Sequence, residues 1–208
     1  MKVTLYGASG MIGSRILQEL VDRGHEVTAV VRNPEKVTAE GVVVVKGDVT
    51  DAASVAATAQ GAEAAISAYA PPQTEARTIV DATRSLLAGL AAAGVKRLIV
   101  VGGAGSLEVA PGVQLVDTAQ FPEAWKGIAL GHRDVLPVLE ASSLDWSYLS
   151  PAAFIQPGER TGKFRLGGKQ LVTDERSGSR ISTEDYAVAL VDELESPKHV
   201  RQQFTLAY

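Results

Sequence analysis

The sequence contains 208 residues, with 20 basic and 24 acidic side chains, a formal net charge of −4 and no cysteine. The mixed charges argue against nucleic-acid binding, which needs clustered Lys and Arg, and the lack of cysteine excludes disulfides and thiol catalysis. No apolar run approaches the roughly 18 residues of a membrane span, so we expect a cytoplasmic protein that binds no membrane, nucleic acid or metal.

Six short β-branched runs alternate with alanine-rich amphipathic segments through most of the chain. Such alternation is typical of βαβ units around a parallel sheet. The sequence therefore predicts an α/β fold, a Rossmann-type doubly wound parallel sheet, as one domain over residues 1–208. The predicted strands are 2–6, 26–31, 42–46, 63–68, 96–101 and 145–149.

Two segments break the alternation, each after a strand at the end where open α/β sheets bind ligands. Residues 102–125 are rich in glycine and proline and predict a long loop or lid. Residues 150–208 are predicted to form a small cap on the acceptor side, with a hairpin at 164–172 around Gly167-Gly168. A last helix is expected from Thr183, its predicted N-cap, to Glu195.

A glycine-rich turn lies between the first predicted strand and the first predicted helix. Residues 7–13 read Gly-Ala-Ser-Gly-Met-Ile-Gly, a variant of the dinucleotide-binding fingerprint. Glycines permit the tight turn and a close approach of the pyrophosphate, and the helix N-terminus attracts the anion. The predicted contacts are Gly7, Ser9, Gly10, Met11, Ile12 and Gly13.

The end of the second predicted strand indicates which dinucleotide binds. Enzymes that use NAD commonly carry Asp or Glu about 20 residues after the glycines, whereas Arg32 stands 19 positions after Gly13. A guanidinium there can bind a 2′-phosphate, which favours NADP (NADPH) over NAD, although a solvated arginine is the alternative. After the third strand, Asp48 and Val49 are expected at the adenine, or Asp48 only caps the next helix.

Motifs along the chain resemble those of atypical short-chain dehydrogenase/reductase proteins with an NAD(P)-binding, NmrA-like domain. More narrowly, the sequence is similar to bacterial proteins labelled NADH-flavin reductases and to biliverdin-IXβ/flavin reductase. The shared motifs are residues 7–13, 30–34, 47–49, 101–107 and 150–154, with 157–162 and 180–182 more specific to the narrow group. Beyond the residues already named, this reading places Ala68, Tyr69, Ala70, Gly102, Gly103, Pro151, Ala152, Ala153 and Phe154 at the cofactor.

The same resemblance exposes missing proton donors. Ordinary members of the wider group reduce carbonyls with a Tyr-x-x-x-Lys pair and a serine, because a developing alkoxide needs a proton. Here those positions hold Ile128, His132 and the glycines 102 and 103. His132 is the candidate catalytic residue, able to protonate an acceptor near neutral pH, or else it is structural. Pro137 is expected to kink its helix or mark the helix start.

Hydride transfer to a delocalised ring tolerates this loss, since the ring can take its proton from water. We expect the glycines 102 and 103 to leave room above the nicotinamide, and Pro151, Ala152 and Phe154 to form a wall. The sequence thus predicts an NADPH-dependent reductase of FMN, another flavin or a similar small planar acceptor, acting as a monomer or homodimer. The alternative is a non-catalytic NADP(H)-sensing regulatory protein. His25 and His199 are expected at the surface.

Overall fold

Twelve strands and five helices follow one another in the computed structural model, which describes residues 1–208. The helices are α1 (Met11–Asp22), α2 (Ala52–Thr58), α3 (Thr78–Ala92), α4 (Glu123–Glu140) and α5 (Thr183–Glu195). The strands are β1 (Lys2–Tyr6), β2 (Glu26–Val31), β3 (Val43–Lys46), β4 (Ala64–Ser67), β5 (Arg97–Val101), β6 (Glu108–Ala110), β7 (Val113–Gln114), β8 (Asp145–Ser150), β9 (Phe154–Gln156), β10 (Arg165–Gly167), β11 (Arg180–Ser182) and β12 (Gln202–Ala207).

Eight strands form the central sheet in the order β10-β12-β8-β5-β4-β1-β2-β3. All neighbouring pairs are parallel except β10 and β12, which are antiparallel. The chain moves outward from β1 through β2 to β3, and then crosses to β4 on the other side. This reversal beside β1 is the switch point at which doubly wound sheets bind nucleotides. The predicted Rossmann-type fold is confirmed.

The six predicted strands are all present, each within one residue of its expected ends. Their sequence signal is strong because helices cover both faces of the sheet, so strand residues of either parity are apolar. In β1, for example, Val3, Thr4, Leu5 and Tyr6 are all buried.

The C-terminal part departs from the expected cap. The strand β12, which the sequence did not reveal, pairs in parallel with β8 and buries Phe204 and Leu206. The hairpin predicted at 164–172 is wrong, because β10 pairs with β12 instead of with the residues after Gly168. The chain only bends at Gly168, and the pairing of β10 is decided by a distant strand. Residues 150–208 thus extend the sheet by β12 and β10 and place α5 beside α1 on one of its faces.

Two helical layers enclose the sheet. Helices α1 and α5 pack together on one face, and α2, α3 and α4 lie on the other. Apolar residues at helical spacing, such as Ile16 and Leu20 on α1, are fully buried against the sheet. This arrangement leaves the carboxyl ends of the parallel strands as the open edge of the molecule.

Three predictions about helix ends differ from the structure. Ser182, not Thr183, is the N-cap of α5, since its hydroxyl accepts a hydrogen bond from the Asp185 backbone N–H. Asp51 caps α2. Pro137 neither begins nor ends α4, which continues from Glu123 to Glu140 around it.

The predicted lid at 102–125 is largely ordered. It contains two short 3₁₀ helices and the hairpin of β6 and β7 before α4 begins. The hairpin is attached to the turn after β10, where Glu108 exchanges backbone hydrogen bonds with Lys169 and Leu171. The Lys169 Nζ also lies 2.9 Å from the Glu108 carboxylate.

Two histidines expected at the surface instead hold carboxylates of the C-terminal part. His25, whose side chain is only 6% exposed, places Nε2 2.9 Å from Glu195. His199 contacts buried Glu193 through Nδ1 at 2.8 Å and stacks on Phe204. Both rings fasten α5 or the segment after it to the rest of the fold.

None of the helices combines the length and the apolar character that crossing a lipid bilayer requires.

Candidate cofactor site

A cavity of about 520 Å³ lies at the carboxyl ends of β1, β2, β3 and β4. We call it the cofactor cavity. Its position is the switch point of the sheet, where the fold predicts nucleotide binding. Nine of the predicted cofactor residues line it, namely Gly7, Ser9, Gly10, Arg32, Asp48, Val49, Ala68, Tyr69 and Ala70.

The three glycines of the first turn have different roles in the structure. Gly7 has a φ of +83°, and a side chain there would meet the Ala68 carbonyl at 2.5 Å. A side chain at Gly13 would collide with the Gly7 carbonyl, so both positions require glycine for packing. At Gly10 the closest atom to an added Cβ is the Gly7 oxygen at 3.4 Å. Gly10 alone therefore has space for a side chain, and it lines the cavity.

The N-terminus of α1 is left open for an anion. No side chain caps α1 and its first turn carries no acidic residue, whereas Asp51 and Ser182 cap α2 and α5. The first-turn N–H groups of Met11, Ile12 and Gly13 have no partner within an α-helix. Uncapped N–H groups together with the helix dipole are suited to a pyrophosphate.

A second anion position lies at the end of β2. Arg32 is exposed, lines the cavity and has no hydrogen-bond or ion-pair partner. The sequence reading missed Lys36, which lines the same cavity because the short 3₁₀ helix Pro34–Lys36 turns the chain back. Proline directly after Arg32-Asn33 was the available signal for that turn. Two cations thus border one end of the cavity.

Asp48 is fixed as an ionised acceptor. Its carboxylate accepts hydrogen bonds from the Thr50 N–H at 2.9 Å and the Thr50 hydroxyl at 2.7 Å. These bonds, and to a smaller extent the charge of Arg32, hold the pKa of Asp48 below its ordinary value. The alternative that Asp48 caps the next helix is wrong, since Asp51 does so.

The far wall of the cavity was not foreseen from the sequence. It is formed by residues at and before the start of α3, where Glu75, Thr78 and Asp81 face the cavity. The hydroxyl of Tyr69 lies 3.5 Å from that of Thr78, which joins this wall to the end of β4. No motif marked these positions, because only the path of the chain after β4 brings them there.

The glycine pair after β5 is required by packing rather than by open space. A side chain at Gly102 would collide with the ring of Tyr148, and one at Gly103 would meet the Cβ of His132 at 2.8 Å. The expectation that these glycines leave room above a nicotinamide is therefore corrected. Their effect is to bring the loop against α4 and its histidine.

His132 lies on α4 against this loop, and its Nδ1 is buried without a hydrogen-bond partner. Burial lowers the pKa of His132 to about 4, so the ring is neutral at neutral pH. The expectation that His132 protonates an acceptor near pH 7 is therefore corrected. At that pH its ring is neutral and is available for hydrogen bonding. Buried polar atoms normally form hydrogen bonds. A purely structural role for His132 therefore does not explain why its Nδ1 has no partner.

The predicted wall after β8 divides into two parts. Pro151 and Ala152 are buried, Ala152 to 1% exposure, so their side chains pack inside the fold. Ala153 is exposed, and Phe154 is 73% exposed. Of the four predicted wall residues, only Ala153 and Phe154 therefore expose a side chain to a bound molecule. The expectation that Pro151 and Ala152 form part of the wall is corrected.

Comparison with known proteins shows the family of the chain. A family model described as NAD(P)H-binding matches residues 7–197, and the chain belongs to that family. It is 40% identical to YwnB of Bacillus subtilis (strain 168), an uncharacterized protein, over 99% of this chain and 98% of YwnB.

Solved structures extend the likeness. A crystal structure named "putative exported protein" from Burkholderia pseudomallei is 52% identical with a TM-score of 0.93, and each chain is covered completely. A "putative NADH-flavin reductase" from Streptococcus pneumoniae is 34% identical with a TM-score of 0.90, over 100% of this chain and 99% of that one. The resemblance to atypical short-chain dehydrogenase/reductase proteins is confirmed, and an NAD(P)H-dependent oxidoreductase is supported.

Proposed function

We propose that this protein transfers hydride from NADPH to a flavin or a similar planar acceptor. One observation carries the proposal. The histidine beside the Gly102-Gly103 loop has a pKa of about 4, and α4 contains no tyrosine. His132 is therefore uncharged at neutral pH, which supports an acceptor that takes its proton from water, as a delocalised ring can.

The choice of NADPH follows from charge. Arg32 and Lys36 border the cofactor cavity where a carboxylate would select the ribose hydroxyl of NAD. A guanidinium that has no partner in the protein can form charge-assisted, forked hydrogen bonds with a 2′-phosphate. The same group would leave NADH with no comparable contact.

The residues of this chain bind the dinucleotide and orient it. The open N-terminus of α1 and the bare face of Gly10 receive the pyrophosphate, and Arg32 fixes the phosphate end of the dinucleotide. When bound, the nicotinamide supplies the hydride. Holding the dinucleotide in one orientation can remove several kcal/mol from a barrier, on the order of 7 or more in good cases.

The proposal is tested by steady-state oxidation of NADPH with FMN, riboflavin and quinones. We expect turnover well above the rate of the same mixture without protein, and a preference for NADPH over NADH. Tight NADPH binding without oxidation above that background would contradict the reductase and indicate the NADP(H)-sensing role instead.

Location and assembly belong to the same proposal. We place the reductase in the cytoplasm, where NADPH is regenerated, and we expect a monomer or a homodimer because one chain carries the whole cofactor cavity. Light scattering of the purified protein and cell fractionation test these two points.

A further inference from the structure

A small separate sheet stands beside the end of β8. Its strands β9 and β11 pair in parallel, with Phe154 opposite Arg180 and Ile155 opposite Ile181. Successive side chains of a strand point to opposite faces, and Ile181 is buried in the core. Phe154 and Arg180 therefore share the outer face, where neighbouring strands lie about 4.8 Å apart.

A cavity of about 490 Å³ lies on that outer face. We call it the β9–β11 cavity. Besides Phe154 and Arg180, its lining includes Ser182 and Tyr208. The Tyr208 hydroxyl lies 2.9 Å from the Ser182 hydroxyl and 2.8 Å from the buried Asp185 carboxylate, so this wall is firmly held.

The charge in this cavity is not neutralised by contacts. Most arginine side chains of the fold are engaged, as that of Arg160 is with Glu19, but the exposed Arg180 side chain has no hydrogen-bond or ion-pair partner, and only its carbonyl oxygen is bonded, by the Tyr208 N–H. The nearby Asp174 carboxylate accepts the Gly178 and Arg176 backbone N–H groups, which with the charge of Arg180 hold its pKa below the ordinary value, but it makes no direct contact with the guanidinium. Glu159 is the acidic residue of the lining, and it forms no ion pair with Arg180.

An aromatic face beside an unpaired guanidinium fits one class of molecule. A planar ring can stack on Phe154, and an anionic group on the same molecule can bind Arg180 in a forked hydrogen bond.

The position of the cavity suits a second substrate. Phe154 lies four residues after Ser150, where β8 ends, and β8 is the neighbour of β5, whose end carries Gly102. Because these strands are parallel, their carboxyl ends open at the same edge of the sheet.

We propose that the β9–β11 cavity binds the hydride acceptor and that Arg180 selects planar acceptors carrying an anionic group. The inference rests on the proposed function, whose acceptor it narrows to molecules such as FMN over uncharged riboflavin. Phe154 supplies affinity for either ring, and Arg180 supplies the difference between them.

The test is a fluorescence titration of the protein, in the presence of NADP, with FMN and with riboflavin. We expect Arg180→Gln to weaken FMN binding about tenfold, the loss of a charge-assisted contact, and to leave riboflavin unchanged. Phe154→Ala should weaken both. Arg176→Gln is the matched control, because it removes the same charge from an exposed residue outside the cavity, and should change neither.

Two results overturn the inference: equal effects of Arg180→Gln on the two flavins, and no flavin binding by the wild-type protein. The proposed function is separated by following NADPH oxidation in the same samples. If FMN binding depends on Arg180 but NADPH is not oxidised, the reductase proposal is contradicted and the acceptor site in the β9–β11 cavity stands. If wild type and Arg180→Gln both oxidise NADPH equally fast with FMN and with riboflavin, the reductase proposal stands and the proposed role of the β9–β11 cavity is contradicted.

Discussion

The two cavities at the open edge of the sheet are built in opposite ways. The cofactor cavity is made by turns that directly follow β1 to β4 and by the start of α3. Close packing leaves Gly7 and Gly13 no freedom to change. The β9–β11 cavity joins short segments of the last third of the chain, and its main aromatic ring stands in solvent. The proposed cofactor site is therefore built on glycines that cannot be replaced, whereas the proposed acceptor site offers an aromatic ring that makes few contacts with the protein.

The largest expected effect breaks the cofactor side alone. Gly10→Val should abolish binding of NADPH and NADH, because the new side chain would fill the space of the pyrophosphate. The fold should survive, since a Cβ at this position meets no protein atom closer than 3.4 Å. Calorimetric titration and circular dichroism measure the two effects. Gly168→Val, which also has open space, is the control and should bind normally; near-normal affinity in Gly10→Val would move the nucleotide elsewhere.

A neighbouring substitution should break the frame itself. Gly13→Ala puts a methyl group against the Gly7 carbonyl, and overpacking of this kind costs about 1–3 kcal/mol. Urea unfolding should show this loss of stability, while Gly10→Val stays close to wild type. If Gly13→Ala were as stable as wild type, the claim of a rigid glycine frame would fail.

Charge selection should give a smaller and more specific effect. Arg32→Ala is expected to weaken NADPH about 30-fold, as a forked charge-assisted contact is lost, and to change NADH little. The two dissociation constants are measured side by side, with Arg176→Ala as control. Equal weakening of both nucleotides would show that Arg32 does not contact the 2′-phosphate.

The smallest effect is expected at the histidine. His132→Ala should lower kcat with a flavin no more than about tenfold, because a true general acid contributes about a hundredfold or more. With a pKa of about 4, His132 stays neutral through the neutral range and becomes charged only as the pH falls toward that value. The kcat profile should therefore be flat near pH 7; a thousandfold loss, or a step in the profile that the variant abolishes, would indicate an obligatory proton.

The sheet could be predicted from the sequence where its strands are buried on both faces. Strands β4 and β5 are mostly apolar and buried along their length, and the predicted ends of β1, β2, β3, β4, β5 and β8 all lie within one residue of the observed ones. The strand β12 reads Gln-Gln-Phe-Thr-Leu-Ala, which alternates and contains few β-branched residues. The position of β12 is set by its pairing with β8 and β10. A local sequence pattern does not reveal such pairing.

The candidate site divides in the same way. The turns that carry Gly10, Arg32 and Asp48 each follow a strand directly, so the sheet brings them together once the strands are known. Lys36 and Asp81 enter the cavity only through the path of later turns. The pKa of His132 depends on burial beside Gly103, and the pairing of Phe154 with Arg180 spans 26 residues of sequence. Such contacts exist only in the folded chain.

The most direct test of the account is single-turnover transfer under anaerobic conditions. Protein saturated with NADPH, or with NADPH deuterated at the transferred C4 position, is mixed with FMN, and the loss of flavin absorbance is followed by stopped flow. We expect bleaching far faster than without protein and slower with the deuterated cofactor, because the protein aligns the two rings for direct hydride transfer. Bleaching at the protein-free rate with either cofactor would contradict it.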